Sequence, residues 1–247
     1  VLARYWRRFV CVATLAEHGR YSNHVLGYGL LAGSNKLKFL TQQWIGTQFF
    51  ELFPEVKPVN EYGPDSLSFT SPLLGTVETS DQVYVLLHPF ARQDWQTTRW
   101  PEANWASLIT WLVSDMGLQV RIVGDRVDKQ DAESLLQQIG PETSSAVRLV
   151  IGQPLAQVVA LAQGALLAIC HNSGLMHVFA QVRTETVVIS GSSAACWRRP
   201  EPWVHNIDSG LCQLKCNRRQ CILAERDARC INGLPVERVK FLVAEVI

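Results

Sequence analysis

The sequence predicts an α/β protein built on a doubly wound parallel sheet that spans about residues 81–195. Two observations support this prediction. From Val83 onward, short apolar runs alternate with segments of helical spacing, which is the pattern of βαβ units whose strands lie parallel. The chain of 247 residues is 47% apolar and 18% charged, which fits a globular protein with a substantial core.

Five apolar runs predict strands, and each has the length of a buried strand in a parallel sheet. They cover residues 83–87, 118–123, 147–151, 165–170 and 186–190. The first run ends at His88-Pro89 and the second at Gly124-Asp125, which are residue types that stop a strand.

Helices are predicted between these runs from apolar spacing and from start and stop residues. They cover residues 105–112, 128–139, 154–163, a segment that starts after Gly174 and includes 178–182, and a closing helix over 235–247. The first follows Pro101-Glu102, the second ends at Gly140-Pro141, and the third has proline in its first turn. The closing helix is amphipathic, with apolar residues on one side at Val239, Leu242, Val243 and Val246.

Residues 1–80 are predicted to be the remnant of a second domain followed by a linker. Residues 37–53 have helical spacing that Pro54 stops, and residues 54–80 contain four prolines among Ser, Thr and Gly. The sequence starts at Val1 rather than at Met, so we expect the natural protein to begin earlier.

Composition and charge argue against several classes of function. The net charge of +1 gives no electrostatic basis for binding nucleic acid. No apolar run reaches the roughly 18–20 residues that cross a bilayer. Arg4, Arg7 and Arg8 interrupt the segment where a secretory signal would lie. We therefore expect a cytoplasmic protein without a transmembrane segment.

The segment His171-Asn172-Ser173-Gly174-Leu175-Met176-His177 is the strongest indication of a functional site. It joins the fourth predicted strand to a helix, so free backbone N–H groups and small side chains meet at a helix N-terminus, which favours phosphate. His177 lies about one turn after Ser173 on the same side of the helix, so a hydroxyl, amides and an imidazole can converge on one oxyanion. The alternative is that Asn172 and Ser173 only cap the helix.

A second candidate segment is the loop over residues 88–101. Thr97, Thr98 and Arg99 lie in it, between a strand end and a helix start, where hydroxyls and a guanidinium suit a diphosphate. The alternative is a polar loop that packs through Trp100-Pro101.

Two more loops follow predicted strands at the same edge. Asp125 and Asp128 could hold the hydroxyl pair of a ribose, or Asp128 could cap a helix. Gly191-Ser192-Ser193 is either a small-residue loop at the site or an ordinary turn.

Four of the seven cysteines crowd into the tail, at Cys212, Cys216, Cys221 and Cys230. Four thiolates can close a tetrahedral zinc or iron site. Free thiols and one or two disulfides are the alternatives, and the lack of a secretory signal makes a disulfide framework the less favoured one.

Together these segments resemble the heptosyltransferase family of GT-B glycosyltransferases. The resemblance covers about residues 81–240 and rests on four segments, which are Thr98-Arg99-Trp100-Pro101, Gly124-Asp125, Asn172-Ser173-Gly174-Leu175-Met176-His177 and Gly191-Ser192-Ser193. Family members have two Rossmann-like domains that face a cleft, and the C-terminal one binds the nucleotide sugar. The resemblance therefore implies a Rossmann-like donor domain over residues 81–247 with a cysteine-rich tail at about 208–232. It makes residues 1–80 the remnant of the acceptor-side domain.

The resemblance also implies roles for individual residues. The residues that would meet the diphosphate and sugar are Asn172, Ser173, Gly174, Leu175 and His177, with Thr97, Thr98 and Arg99 on the phosphates from the opposite loop. Asp128 would lie near the ribose and Gln153 near the base. In a branch that modifies proteins, tail cysteines hold iron, which would make any metal at Cys212, Cys216, Cys221 and Cys230 structural.

The chain departs from the family pattern in three places. Asn172 stands where the family usually has an acidic residue, and Thr98 stands where it usually has Lys. The catalytic base of the family is an Asp beside a Gly-Asp motif in the N-terminal domain, and this sequence has no counterpart. We therefore expect the base outside this sequence and expect the chain alone to bind donor weakly and to turn over poorly.

The activity that the resemblance implies is inverting transfer of a sugar, which is heptose in this family, from a nucleotide-activated donor such as ADP-heptose to lipopolysaccharide core or to protein. A base takes the acceptor proton while the diphosphate leaves, and protein groups neutralise that charge, so catalysis requires no cofactor. The implied setting is the bacterial cytoplasm, with at most a peripheral association with the inner membrane. Two alternatives stay open, a non-catalytic nucleotide-sugar-binding module and a nucleotide-sugar epimerase, which would need paired carboxylates in the cleft.

Overall fold

The computed structural model of this chain describes residues 83–91, 95–191, 198–212, 220–223, 225 and 227–247. All of them belong to one compact unit, Val59–Ile247. The predictions made for residues 1–80, and those for Ser192, Ser193 and Cys216, fall outside the described residues and stay predictions.

The described residues contain a six-stranded parallel sheet in the order β3-β2-β1-β4-β5-β6. The strands are β1 (Tyr84–His88), β2 (Gln119–Gly124), β3 (Val147–Ile151), β4 (Leu167–His171), β5 (Thr186–Ile189) and β6 (Val204–Ile207). This order winds outward from the centre in both directions, so the predicted doubly wound, Rossmann-like α/β fold is confirmed.

Helices cover both faces of the sheet. They are α1 (Glu102–Ser114), α2 (Lys129–Gln138), α3 (Pro141–Ser144), α4 (Leu155–Gly164), α5 (Gly174–Gln181), α6 (Arg229–Asn232) and α7 (Val236–Val246). One apolar cluster joins one face of the sheet to α1, α2 and α7, and a second joins the other face to α4 and α5. None of the helices in the described ranges is both long and apolar enough to cross a membrane.

The alternation of side chains along each central strand supplies both clusters. In β1, Val85 and Leu87 enter the first cluster, and Leu86 between them enters the second. In β4, Ile169 likewise enters the first cluster and Cys170 enters the second. A strand buried on both faces needs apolar residues at every position, which is why these strands read as unbroken apolar runs in the sequence.

The C-terminal segment packs back onto the start of the domain. Helix α7 lies against α1, and Val239 and Val243 of α7 are buried in the first cluster. The indole N–H of Trp100 donates a 2.9 Å hydrogen bond to the carbonyl of Leu234. The tail is therefore an integral part of the domain.

The predicted strands and helices are confirmed with shifts of one to three residues at most ends, whereas β6 and the short helices α3 and α6 were not predicted. The sheet does not end near residue 195, because Val204–Ile207 pairs with β5 as the outermost strand. This strand was missed because it is short and has the polar residues His205 and Asn206 at its centre, where an edge strand meets solvent.

Candidate functional site

The candidate site lies at the point where the sheet reverses its winding. Strands β1 and β4 are neighbours, and His88, the last residue of β1, pairs with Cys170 near the end of β4. The chain winds away to β2 and β3 on one side and to β5 and β6 on the other. The loops that leave β1 and β4 therefore diverge and open a crevice at the carboxyl edge, which is where open α/β sheets bind their ligands.

A cavity of about 820 Å³ lies at this crevice. Its volume is in the range of sites for small molecules and cofactors. The lining comes from the ends of β1 and β4, the loop after β2 and the helices α4 and α5: His88, Phe90, Ala91, Val127, Asp128, Leu155, Ser173, Gly174, Leu175 and Val178.

The N-terminus of α5 forms one wall of the cavity. Ser173 occupies the N-cap position with extended backbone (φ −141°), and Gly174 and Leu175 open the helix. The Ser173 hydroxyl caps none of the described N–H groups of the helix. Instead, its Oγ lies 3.4 Å from Nδ1 of His88. The first amides of α5 and this hydroxyl are therefore left for a ligand, and the helix dipole favours an anion there.

His88 is neutral in this setting. Burial lowers its pKa to about 4. Its ring meets the ring of Phe90 edge to face at a centroid distance of 6.0 Å. A neutral imidazole offers one N–H donor and one acceptor, so His88 enters the site as a hydrogen-bonding group and not as a cation.

Asp128 lines the cavity, and it also caps a turn, which was the alternative interpretation. Its assignment to a ribose remains a prediction. Its Oδ2 accepts the backbone N–H of Asp125 at 2.7 Å. Burial raises the pKa of Asp128, and the charges of Asp125 and Asp131 raise it further. A Cβ at Gly124 would stand 2.8 Å from the Phe90 ring and 3.0 Å from the Asp128 carboxylate, so glycine is what lets these groups approach.

Arg99 lies in the predicted loop but has a protein partner. Its guanidinium forms a 2.8 Å ion pair with Asp131 of α2 and donates a 3.3 Å hydrogen bond to the carbonyl of Ala91. Both charged side chains of this pair are about one third exposed (33% and 30%). Arg99 is not among the described residues that line the cavity.

Thr97 and Thr98 are buried in a short 3₁₀ turn, Gln96–Thr98, instead of lining the cavity. The Thr98 hydroxyl donates to the carbonyl of Trp95 at 3.0 Å. The Thr97 carbonyl faces Gly191 and the thiol of Cys230, whose Sγ lies 3.9 Å away. The turn is thus in contact with the loop after β5 and with the tail.

The remaining predicted donor residues divide into two groups. Leu175 lines the cavity, whereas Asn172, His177 and Gln153 are not among its described lining residues. His177 is half-buried, and its pKa is lowered by burial and by the charge of Arg199. Gln153 is exposed just before α4, whose first residue, Leu155, does line the cavity. Their assignments to the donor remain predictions.

Six lining residues were missed from the sequence as site residues: His88, Phe90, Ala91, Val127, Leu155 and Val178. His88 could have been found, because it ends a predicted strand at the edge where α/β proteins bind ligands. Val127 and Leu155 had no such indication, since isolated exposed apolar residues are ordinary on a protein surface. They are 77% and 51% exposed.

The described cysteines of the tail do not form a metal site by themselves. Cys212 and Cys221 are half-buried and Cys230 is buried. In the described part of the chain, no group of three or more His, Cys, Asp or Glu residues could hold a metal ion. Because Cys216 lies outside that part, the four-cysteine prediction stays a prediction.

Comparisons with known proteins agree with this architecture. A family model described as glycosyltransferase family 9 (heptosyltransferase) matches residues 22–225. No curated protein gives a significant match.

Several solved structures share the fold. The ADP-heptose lps heptosyltransferase II of E. coli has 23% identity and a TM-score of 0.56, over 68% of this chain and 47% of that protein. The E. coli heptosyltransferase WaaC with ADP-2-deoxy-2-fluoro heptose has 17% identity and a TM-score of 0.56, over 83% and 57%. The iron-containing dodecameric glycosyltransferase TibC of enterotoxigenic E. coli has 18% identity and a TM-score of 0.52, over 67% and 45%. The chain thus spans about half the length of these relatives.

Proposed function

This chain belongs to glycosyltransferase family 9, the heptosyltransferase family, and we propose that its cavity binds the nucleotide-activated sugar of an inverting glycosyl transfer. The observation that carries this proposal is the N-terminus of α5, which opens into the cavity with its first amides and the Ser173 hydroxyl available. These groups suit the diphosphate of a nucleotide sugar.

The same groups give a role in the reaction. In an inverting transfer, the bond between the anomeric carbon and the diphosphate breaks while the acceptor oxygen attacks and a base takes its proton. Charge builds up on the leaving diphosphate. Preorganised N–H and O–H donors in a cavity stabilise that charge without reorganisation, so Ser173, Gly174 and Leu175 would lower the barrier.

The other end of the cavity suits the nucleoside. Asp128, which lines the cavity, would accept hydrogen bonds from ribose hydroxyls, as carboxylates do in related folds. Val127 and Leu155 offer exposed apolar surface beside it for a base. Gln153, just before α4, is assigned to the edge of that base.

Four further residues are assigned to the phosphates and sugar. Arg99 is paired with Asp131, so it would have to exchange that partner for a phosphate. Thr97 and Thr98 would support that loop from beneath, and His177 would face the sugar from the second turn of α5. Asn172 carries no charge and cannot act as the base, which we place outside the described residues.

The names of the solved relatives point to the donor and the acceptor. They include an ADP-heptose lps heptosyltransferase and an enzyme with an ADP-heptose analogue, so we assign ADP-heptose as the donor here. The acceptor is lipopolysaccharide core or protein, and the setting is the cytoplasm, with no more than a peripheral contact with the inner membrane. Iron or zinc at the tail cysteines would be structural, since no step of the proposed reaction takes place there.

Calorimetric titration with ADP, with GDP and UDP as controls, tests the proposal. We expect the wild-type chain to bind ADP. Ser173→Ala should weaken the affinity for ADP about three- to tenfold, which is the effect of losing one hydrogen bond. Ser145→Ala is the matched control, because that serine is exposed on the loop after α3, outside the cavity. If GDP or UDP binds more tightly than ADP, the donor is a sugar activated by that nucleotide. A folded chain that binds no nucleotide would contradict the proposal.

A second candidate is a non-catalytic nucleotide-sugar-binding module. The observation that favours it is the uncharged pair Asn172 and Thr98, in place of the family's acidic residue and lysine. Release of ADP from ADP-heptose in the presence of acceptor distinguishes the two, because a module binds the donor and releases none.

A further inference from the structure

His88 lines the cavity but has no part in the function proposed above. It ends β1 at the point where the sheet reverses its winding, and it lines the cavity together with Ser173 and Gly174. Its Nδ1 lies 3.4 Å from Oγ of Ser173, a residue 85 positions further along the chain. This is a pairing between the ends of the two strands that flank the crevice.

The state of both partners fits a hydrogen-bonded pair. Burial keeps His88 neutral, and in the tautomer with its proton on Nδ1 the ring donates to the Ser173 oxygen, which leaves the Ser173 O–H for a ligand. The Ser173 hydroxyl is not engaged in capping the described part of α5. Without a partner, a serine hydroxyl rotates among staggered positions, so His88 is what restricts it.

The neighbouring histidine cannot take this role. Alternation along β4 directs His171 to the opposite face of the sheet, where its ring packs against Trp105 at 5.3 Å. Its Nε2 already accepts the backbone N–H of Trp100 at 2.9 Å. Phe90, edge to face with the ring of His88, further limits how that ring can turn.

We propose that His88 is a positioning residue for the nucleotide diphosphate, which acts by holding the Ser173 hydroxyl toward the first amides of α5. The inference rests on the proposed function, because it requires a diphosphate at that helix end. A ligand oxygen bound by the Gly174 and Leu175 amides would then receive the Ser173 O–H in a preset direction. His88 therefore contributes to binding through Ser173, without a contact of its own to the phosphate.

A double-mutant cycle with ADP tests this coupling. We expect His88→Ala to weaken ADP binding about three- to tenfold in the wild-type background, the range of one hydrogen bond. In the Ser173→Ala background, His88→Ala should change the affinity by less than about twofold, because the group it acts on is gone. His205→Ala is the matched control, since that histidine lies on the edge strand β6.

Two conservative variants test whether His88 acts by positioning the Ser173 hydroxyl or only by filling space in the cavity wall. Asn places a polar atom near the position of Nδ1, whereas Gln reaches the position of Nε2. We expect His88→Asn to retain ADP affinity within about twofold of wild type and His88→Gln to match His88→Ala. If thermal melting shows that the His88→Ala variant is not folded, the comparison of His88→Asn with His88→Gln is sufficient to test the inference.

The outcomes distinguish this inference from the proposed function. Wild-type protein that binds ADP with an affinity unchanged by His88→Ala overturns the inference and leaves the nucleotide site in place. The same holds if His88→Ala weakens binding equally in both backgrounds, since His88 then acts independently of Ser173. A folded wild-type chain that binds no nucleotide overturns both.

Discussion

The backbone N–H of Trp100 donates a 2.9 Å hydrogen bond to Nε2 of His171, which ties the loop before α1 to the end of β4. Because Nε2 accepts this bond, the imidazole is neutral with its proton on Nδ1. Burial lowers the pKa of His171 to about 3, and Nδ1 has no hydrogen-bond partner of ordinary geometry in the described chain. The interior of the domain therefore contains a base that stays unprotonated down to low pH.

We expect this burial of His171 to destabilise the fold in acid. In the unfolded chain the pKa of His171 is near 6.5, so the unfolded state takes up a proton below that pH while the folded state does not. The free energy of unfolding must then fall as pH falls from about 6.5 towards about 3. Between pH 7 and pH 5 the contribution of His171 is about 2 kcal/mol.

Urea unfolding at the two pH values measures this effect. His171→Gln removes the titrating group but keeps an acceptor for the Trp100 N–H, so its loss of stability on acidification should be about 2 kcal/mol smaller than that of wild type. His88 and Asp128 are present in both proteins, so their contributions to the pH dependence of the free energy of unfolding cancel when the two proteins are compared. Equal losses in the two proteins would show that His171 does not carry the effect.

The close approach of Gly191 to the Gln96–Thr98 turn predicts a severe effect of a single methyl group. A Cβ at Gly191 would collide with the Thr97 carbonyl oxygen and lie 3.3 Å from Ile231 of α6. We expect Gly191→Ala to lower the free energy of unfolding by about 2–3 kcal/mol. Gly140→Ala is the control, because a Cβ there meets none of the described atoms within 4 Å, and it should be near neutral.

The ion pair between Arg99 and Asp131 predicts how this loop responds to nucleotide. If Arg99 exchanges Asp131 for phosphate, removal of the carboxylate frees it, so Asp131→Asn should tighten ADP binding by about two- to fivefold, the range of an exposed ion pair. Glu133→Gln removes one charge from the same helix, at the Lys129–Glu133 pair, without touching Arg99. Calorimetry that gives equal affinities for the two variants would assign Arg99 a purely structural role.

The burial of the cysteines predicts their order of reaction. Burial raises the pKa of the Cys170 thiol, and Cys230 is buried as well, whereas Cys212 and Cys221 are half-buried. Since the thiolate is the reactive form, iodoacetamide should modify Cys212 and Cys221 in the native protein well before Cys170 and Cys230. Peptide mass spectrometry measures the order. A chelator that accelerates modification of Cys212 and Cys221 would support a bound metal, and early modification of Cys170 would contradict the packing described.

Most of the fold could be predicted because its central strands are buried on both faces and therefore read as apolar runs. The exception, β6, lies at an edge, where His205 and Asn206 interrupt the apolar pattern. Edge strands need only one buried face, so a short one leaves little trace in composition.

The candidate site could be predicted only in part. Ser173, Gly174, Leu175 and Asp128 follow strand ends, so a local rule places them at the carboxyl edge where the cavity lies. Arg99 could not be placed in this way, because its position is set by Asp131, which lies 32 residues further along. Such pairings depend on the docking of helices and have no counterpart in local sequence.

The hydrogen bond between Trp100 and Leu234 spans 134 residues, and it bears on how the domain is completed during synthesis. As the ribosome releases the chain, the face of α1 that α7 covers remains open to solvent until α7 emerges. The loop that leads from β1 to α1 is likewise without its anchor until then. Nucleotide binding should therefore be acquired only after α7 has emerged, and a nascent chain released before residue 234 would present the apolar side of α1 to chaperones.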